Sequence, residues 1–185
     1  MDFFQIQTKE KPRQAGKIEL YPVFRVRERN QDLMIRGGSF YAIWDEEQGL
    51  WVDQPLIGGG PRCKVPTLDG TLGALVTSDS AKAERVVGQL VDPERFGAPY
   101  GLSYLPRRHA SYDPGSYWRG AAWPQLNYLL AVAADRWRDD DTCSRIRDMT
   151  FAGVLTSGYA EYWNAEDGTG PGAVPQGWAA VAAAL

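Results

Sequence analysis

The stretch Tyr117-Trp118-Arg119-Gly120-Ala121-Ala122-Trp123-Pro124-Gln125-Leu126-Asn127-Tyr128 decides the fold, because an irregular aromatic segment ends within it and a helix begins. Proline is tolerated in the first turn of a helix, where its missing N–H would have no intrahelical partner, and Pro124 fits that position. From there Leu126, Leu130, Ala134 and Trp137 recur at helical spacing up to the acidic run Asp139-Asp140-Asp141. Upstream, residues 92–117 are rich in proline, glycine and arginine. A loop this long inside a compact domain is usually functional or disordered. Its four tyrosines, Tyr100, Tyr104, Tyr112 and Tyr117, argue against disorder.

The helical pattern extends in both directions. Leu68, Leu72, Leu75 and Val76 form an apolar stripe. A second helix follows quickly, with Ser80 as its N-cap and Ala83, Val86, Val87 and Leu90 as its stripe, ended by Asp92-Pro93. Past the acidic run another helix turns Ile146, Met149, Gly153 and Val154 inward. Then come Gly158-Tyr159-Ala160-Glu161-Tyr162-Trp163-Asn164, a Gly/Pro loop through Gly172, and an alanine-rich helix from Gln176 to Leu185. Short and long connections alternate, as a toroid of paired helices requires.

The first third of the chain reads differently. Ile18, Leu20, Phe24 and Val26 share one parity, which predicts a strand interrupted by Pro22. Gly37-Gly38 breaks the chain, and the pattern beyond it is read as helical. On that reading Phe40 to Trp44 runs into a helix end at Asp45–Gly49, followed by a short extended piece to Asp53. Gly58-Gly59-Gly60-Pro61 is a flexible loop; without a following Gly-Lys-Ser/Thr it is no phosphate-binding loop. Residues 1–38 are left as an unassigned segment.

Composition bounds the function. With 44% hydrophobic and 23% charged residues, the 185-residue chain falls in the ordinary range for one globular domain. A net charge of −3 gives no footprint for nucleic acid, and Arg25, Arg27, Arg29 and Arg36 are interleaved with Glu19 and Glu28. Cys63 and Cys143 form no CxxC pair and suggest a reducing compartment. No apolar run reaches membrane-spanning length and no leader is evident, so a soluble, cytoplasmic protein without membrane or nucleic-acid partners is expected. Aromatic residues make up 12% of the chain, which suits either a core or a sugar site, since pyranose rings carry apolar C–H patches.

Two segments carry the chemistry: the stretch 117–128, and Glu161-Tyr162-Trp163-Asn164-Ala165-Glu166-Asp167-Gly168-Thr169-Gly170 followed by Pro175-Gln176-Gly177-Trp178. Together with Trp44-Asp45-Glu46-Glu47-Gln48-Gly49 through Asp53, they resemble the inverting glycoside hydrolases with an (α/α)6 barrel. The resemblance is closest to mannosylglycerate and glucosylglycerate hydrolases and to the processing α-glucosidases of family 63, and it covers residues 39–185. It implies an all-α fold, an incomplete toroid with about five of twelve helices, preceded by a short β-like segment. It further implies hydrolysis of small α-glycosides, with Glu161 as the general base. By the same resemblance Tyr117, Trp118, Arg119, Trp123, Asn127, Gln176 and Trp178 bind the carbohydrate or shape its pocket, and no cofactor or metal is implied.

One departure matters. The family's general acid is an aspartate in a motif like Ser-Gly-x-Asp-x-Ser-Pro-Arg-Trp, and the 185 residues contain no such motif. Truncation or a complementing chain is therefore expected, together with self-association through uncovered helix faces. The alternative is a sugar-binding remnant that uses Trp118, Trp123 and Trp163 without turnover. Read without the family, Glu161 is a surface or salt-bridged carboxylate, Trp137 a core residue, His109 a surface histidine, and Asp139–Asp141 a solvated helix boundary. No ordered ligand spacing for a hard cation and no serine–histidine–aspartate motif is present.

Overall fold

The computed structural model describes residues 26–29, 32–37, 40–55 and 61–185. Ile18, Leu20, Pro22, Phe24 and the triplet Gly58–Gly60 lie outside the described residues. Two compact units result, Met1–Val65 and Pro66–Leu185.

The first unit is an antiparallel meander of β1 (Val26–Arg29), β2 (Asp32–Gly37), β3 (Phe40–Asp45) and β4 (Leu50–Pro55), paired in chain order. This corrects the helical reading of 40–49. The five residues Asp45–Gly49 contain good helix formers, but Asp45 Oδ1 accepts the N–H groups of Glu47 and Gln48, each at 3.1 Å. Gly49, at φ 66°, then closes a hairpin turn. Trp44 stands opposite Trp51 across the strands, and their rings meet edge-on with centroids 4.8 Å apart. Such aromatic cross-strand pairs stabilise a hairpin, and the turn gives a helix nothing to continue into.

The second unit is helical. A 3-10 helix (Leu68–Leu75) precedes α1 (Ser80–Leu90), α2 (Pro124–Arg136), α3 (Asp140–Ser157) and a second 3-10 helix (Gly177–Ala184), so among the described residues there are five helices. Gly70 and Gly73 weaken the first of these as an α-helix, and Thr71 Oγ1 bonds back to the Leu68 carbonyl at 2.6 Å. A two-stranded ribbon, β5 (Gly97–Ala98) with β6 (Gly101–Leu102), interrupts the long 92–123 connection.

Capping largely follows the sequence, displaced by one residue at α1. There Asp79, not Ser80, is the N-cap and accepts the Lys82 N–H at 3.1 Å. Asp139 caps α3 by accepting the Thr142 N–H at 2.9 Å, which accounts for the start of the acidic run. Gly158 ends α3 in the left-handed region, φ 69°.

The predicted stripe of α1 is buried in full, whereas in the first 3-10 helix Leu72, Leu75 and Val76 are only half-buried. Trp123, Trp163, Phe96, Leu102, Leu130 and Ile146 are among the largest fully buried side chains of this unit. Helix α2 packs against α3 and both 3-10 helices, which sets its N-terminal end beneath the two aromatic loops. Trp137 is half-buried, its indole N–H on the Ala74 carbonyl at 2.7 Å.

Candidate active site

Two residues bring the two motifs together. Ala122 and Trp163 exchange backbone hydrogen bonds, N–H to carbonyl at 2.8 Å one way and 3.1 Å the other. The Trp163 ring is held in turn by a notch at Gly153, where an added Cβ would meet Nε1 at 2.2 Å. Its indole N–H donates to the Tyr100 carbonyl. Trp163 is therefore a core residue, and its full burial corrects the reading that gave it a sugar-facing surface.

Two residues before Trp163, Glu161 is pinned along its backbone. Its N–H donates to the Ala173 carbonyl at 2.9 Å, and its carbonyl accepts the Trp178 indole N–H at 3.2 Å. Its carboxylate Oε1 accepts the Tyr117 hydroxyl at 3.3 Å. The glycine-rich tail is needed for this approach: a Cβ on Gly172 would lie 2.9 Å from the Glu161 Cβ and from the Tyr162 nitrogen. Tyr159, just upstream, adopts φ 65°, which is uncommon for a residue with a side chain.

Around Glu161 the aromatic rings form one array. Tyr117 meets Trp118, Trp123 and Tyr162 edge-on at 4.8, 4.6 and 4.8 Å. Trp123 is fully buried as the floor, with Trp118 stacked on it at 4.4 Å and Tyr162 at 5.0 Å. Tyr117, Trp118 and Trp178 remain 41%, 49% and 40% exposed, so three rings line an open rim beside the carboxylate. Desolvation, then the nearby charge of Glu161 and its hydrogen bond, raise the Tyr117 phenol above its ordinary value.

The remaining expected residues stand further back. Arg119 turns to its own loop, donating to Ser116 Oγ at 3.0 Å and Asp113 Oδ2 at 3.1 Å. Asn127 is fully buried, and its Oδ1 accepts the Leu102 N–H at 2.9 Å. Gln176 caps the second 3-10 helix through the Gly177 N–H at 2.7 Å. The lone histidine, His109, accepts the Ser111 N–H at 3.1 Å. It lines a cavity of about 370 Å³ with Pro66, Asp92, Glu94, Arg95, Pro106 and Arg108, which includes none of the motif residues.

Sequence reading missed the clamp that joins the two loops. Arg107 binds Glu166 in bidentate fashion, Nε to Oε1 at 2.6 Å and an Nη to Oε2 at 2.8 Å, and Tyr112 donates to the same Oε1 at 2.8 Å. The partnership with Glu166 raises the Arg107 pKa, and burial with the adjacent carboxylate raises that of Tyr112. No spacing rule announces this contact, because its partners lie in two irregular segments.

A helical unit that sets one carboxylate among open indole and phenol faces has the make-up of a carbohydrate site. The chain belongs to the mannosylglycerate hydrolase MGH1-like glycoside hydrolase domain family, whose model matches residues 33–179. It is 26% identical over 156 residues to the mannosylglycerate hydrolase of Thermus thermophilus, covering 83% of this chain and 37% of that protein. It is 25% identical over 146 residues to the mannosylglycerate hydrolase of Rubrobacter radiotolerans, covering 75% of this chain and 32% of that one. The crystal structure of GH63 mannosylglycerate hydrolase from T. thermophilus in complex with glucose superposes with a TM-score of 0.68 at 26% identity, over 76% of this chain and 35% of that one. A complex of the same enzyme with Tris and D-glycerate gives 0.68 at 27%, over 76% and 34%. The chain thus spans about a third of the length of these relatives.

Proposed function

We propose that this chain is the C-terminal part of the catalytic domain of an inverting glycoside hydrolase acting on small α-glycosides, either glucosyl- or mannosyl-glycerate or short α-glucosides. In this reading Glu161 is the general base. The observation that carries it is the placement of Glu161: its carboxylate is bonded to Tyr117, whose ring meets the exposed Trp118, and its carbonyl accepts the indole N–H of the exposed Trp178.

The chemistry follows from that placement. Glu161 takes a proton from a water as its oxygen attacks the anomeric carbon, and the glycosidic C–O bond breaks on the opposite face. The leaving oxygen must receive a proton from a carboxylic acid about 6.5–9.5 Å away. That acid belongs to a Ser-Gly-x-Asp-x-Ser-Pro-Arg-Trp motif, which is not among the 185 residues. In this reading the helices of the second unit form one sector of an (α/α)6 toroid, and the acid lies in a part of the ring outside the 185 residues.

Within the rim, Tyr117, Trp118 and Trp178 contact the sugar, and Trp123 supports them from beneath. Asn127 and Gln176 hold the surrounding backbone and Arg119 ties the side chains of its own loop, through the contacts described above. A second reading, sugar binding without turnover, is favoured by the missing acid motif. Proton NMR of the first product released from an α-glucoside separates the two, using the chain together with a complementing polypeptide. The β-anomer appearing first supports the inverting hydrolase; α-anomer first, or no release from a folded mixture, overturns it.

A further inference from the structure

The exposed indole of Trp118 touches two tyrosine–carboxyl pairs. One is Tyr117 with Glu161, 4.8 Å from the indole by ring centroid. The other is Tyr104, whose ring lies 4.9 Å from Trp118 at 57° and whose hydroxyl donates to Asp69 Oδ2. Asp69 is the second residue of the first 3-10 helix. The preceding residue fixes it as well, since the Leu68 N–H donates to the Tyr104 carbonyl at 2.8 Å. Tyr104 and Asp69 are thus tied by backbone and side chain at once.

Asp69 keeps an exposed edge, and among the described residues it has no ion pair. Desolvation by the atoms packed about its carboxyl raises its pKa above the ordinary 3.8, opposed by the Tyr104 hydroxyl. The Tyr104 hydroxyl engages Oδ2, and among the described residues the Asp69 side chain accepts no other hydrogen bond. A pyranose lying on an indole presents its C–H face to the ring and its hydroxyls outward, toward the ring's perimeter. A carboxyl oxygen at that perimeter meets hydroxyl donors, and hydrogen bonds to an ionised acceptor are the stronger kind.

We propose that Asp69 is a second sugar-binding carboxyl of this rim, accepting hydrogen bonds from hydroxyls of a glycosyl unit seated on Trp118. The proposal rests on the reading of the rim as a carbohydrate site and deepens it. It also gives the rim a preference: an uncharged polyhydroxy ligand gains from Asp69, whereas an anionic group placed there is repelled. Neutral glucosides are then favoured over ligands that bring a carboxylate to this edge.

The test is titration of the full chain with methyl α-glucoside, read by tryptophan fluorescence and calorimetry, for the wild type, Asp69→Asn and Trp118→Ala. Asparagine can still accept the Tyr104 hydroxyl, so the local fold is retained; if a melt shows otherwise, Asp69→Ser decides. The expected result is about tenfold weaker binding in Asp69→Asn or more, the size of a lost charge-assisted hydrogen bond. Wild-type affinity in Asp69→Asn with binding lost in Trp118→Ala overturns the role of Asp69 and leaves the rim reading intact. Binding unaffected by Trp118→Ala, or no binding by the folded wild type, overturns the rim reading and Asp69 with it.

Discussion

The Tyr117 hydroxyl donates to Oε1 of Glu161 at 3.3 Å, joining two residues that lie 44 positions apart in the sequence. This bond occupies one carboxylate oxygen; in the proposed mechanism the other accepts a proton from water. Tyr117→Phe keeps the ring contacts with Trp118, Trp123 and Tyr162 and deletes only the hydroxyl. Turnover by the complemented enzyme should fall about tenfold while sugar binding stays within a factor of a few, as for one lost hydrogen bond to a charged group. Steady-state kinetics beside a fluorescence titration checks the pair of values; an unchanged rate would remove Tyr117 from the account.

The Arg107–Glu166 clamp predicts a stability effect that charge alone does not describe. The two side chains retain 28% and 31% of their exposure, so solvent screening discounts the pair below a buried bridge. Arg107→Ala should cost about 1–2 kcal/mol in urea unfolding, because the bidentate contact is lost and Glu166 keeps only Tyr112. Arg107→Lys should recover only part of this, since an ammonium cannot make the paired fork. Full recovery by lysine would show that geometry is irrelevant there.

Gly153 is a packing requirement. Because a Cβ would overlap the Trp163 indole, Gly153→Ala should destabilise by about 1–3 kcal/mol, the usual range for overpacking a filled core. The urea midpoint reads it directly, and a neutral result would mean that Trp163 has another place to go.

Acid should weaken the first unit through Asp45. Burial by itself raises this carboxyl, but the Gln48 N–H, Lys64 and the Glu47 N–H outweigh it, and its pKa lies below the ordinary 3.8. A group depressed on folding contributes stability that is complete above its unfolded pKa and lost as pH falls through its folded value. Urea unfolding at a series of pH values from 6 down to about 2 should show that loss in the wild type. The component should be missing in Asp45→Asn. An identical acid profile in the two proteins would show that Asp45 contributes nothing.

Much of the helical unit was legible in the sequence, for reasons visible in particular residues. Pro124 at a helix start and the stripe Ala83, Val86, Val87 and Leu90 are local signals, and the structure has them as read. The hairpin of β3 and β4 was not legible as such. Asp45–Gly49 carries helix-forming residues, and the deciding facts, the Asp45 side-chain cap and the Trp44–Trp51 pairing, appear only once the chain has folded back. In the candidate site, the motifs pointed to Glu161, Tyr117 and Trp118, and the structure brings these three into contact through Tyr117. Contacts made from irregular loops, such as Arg107 with Glu166 or Tyr104 with Asp69 on the first 3-10 helix, leave no periodic trace in sequence.

Hydrolysis of a panel of α-glucosides, α-mannosides and glycosyl-glycerates tests the role of Glu161 most directly. The purified chain is assayed alone and with a polypeptide carrying the acid motif, each time beside Glu161→Gln. The account predicts turnover in the complemented wild type and a loss of about 10²–10⁴ in the glutamine variant, with ligand binding retained. Equal turnover in the two proteins, or none in a folded and complemented wild type, would contradict it.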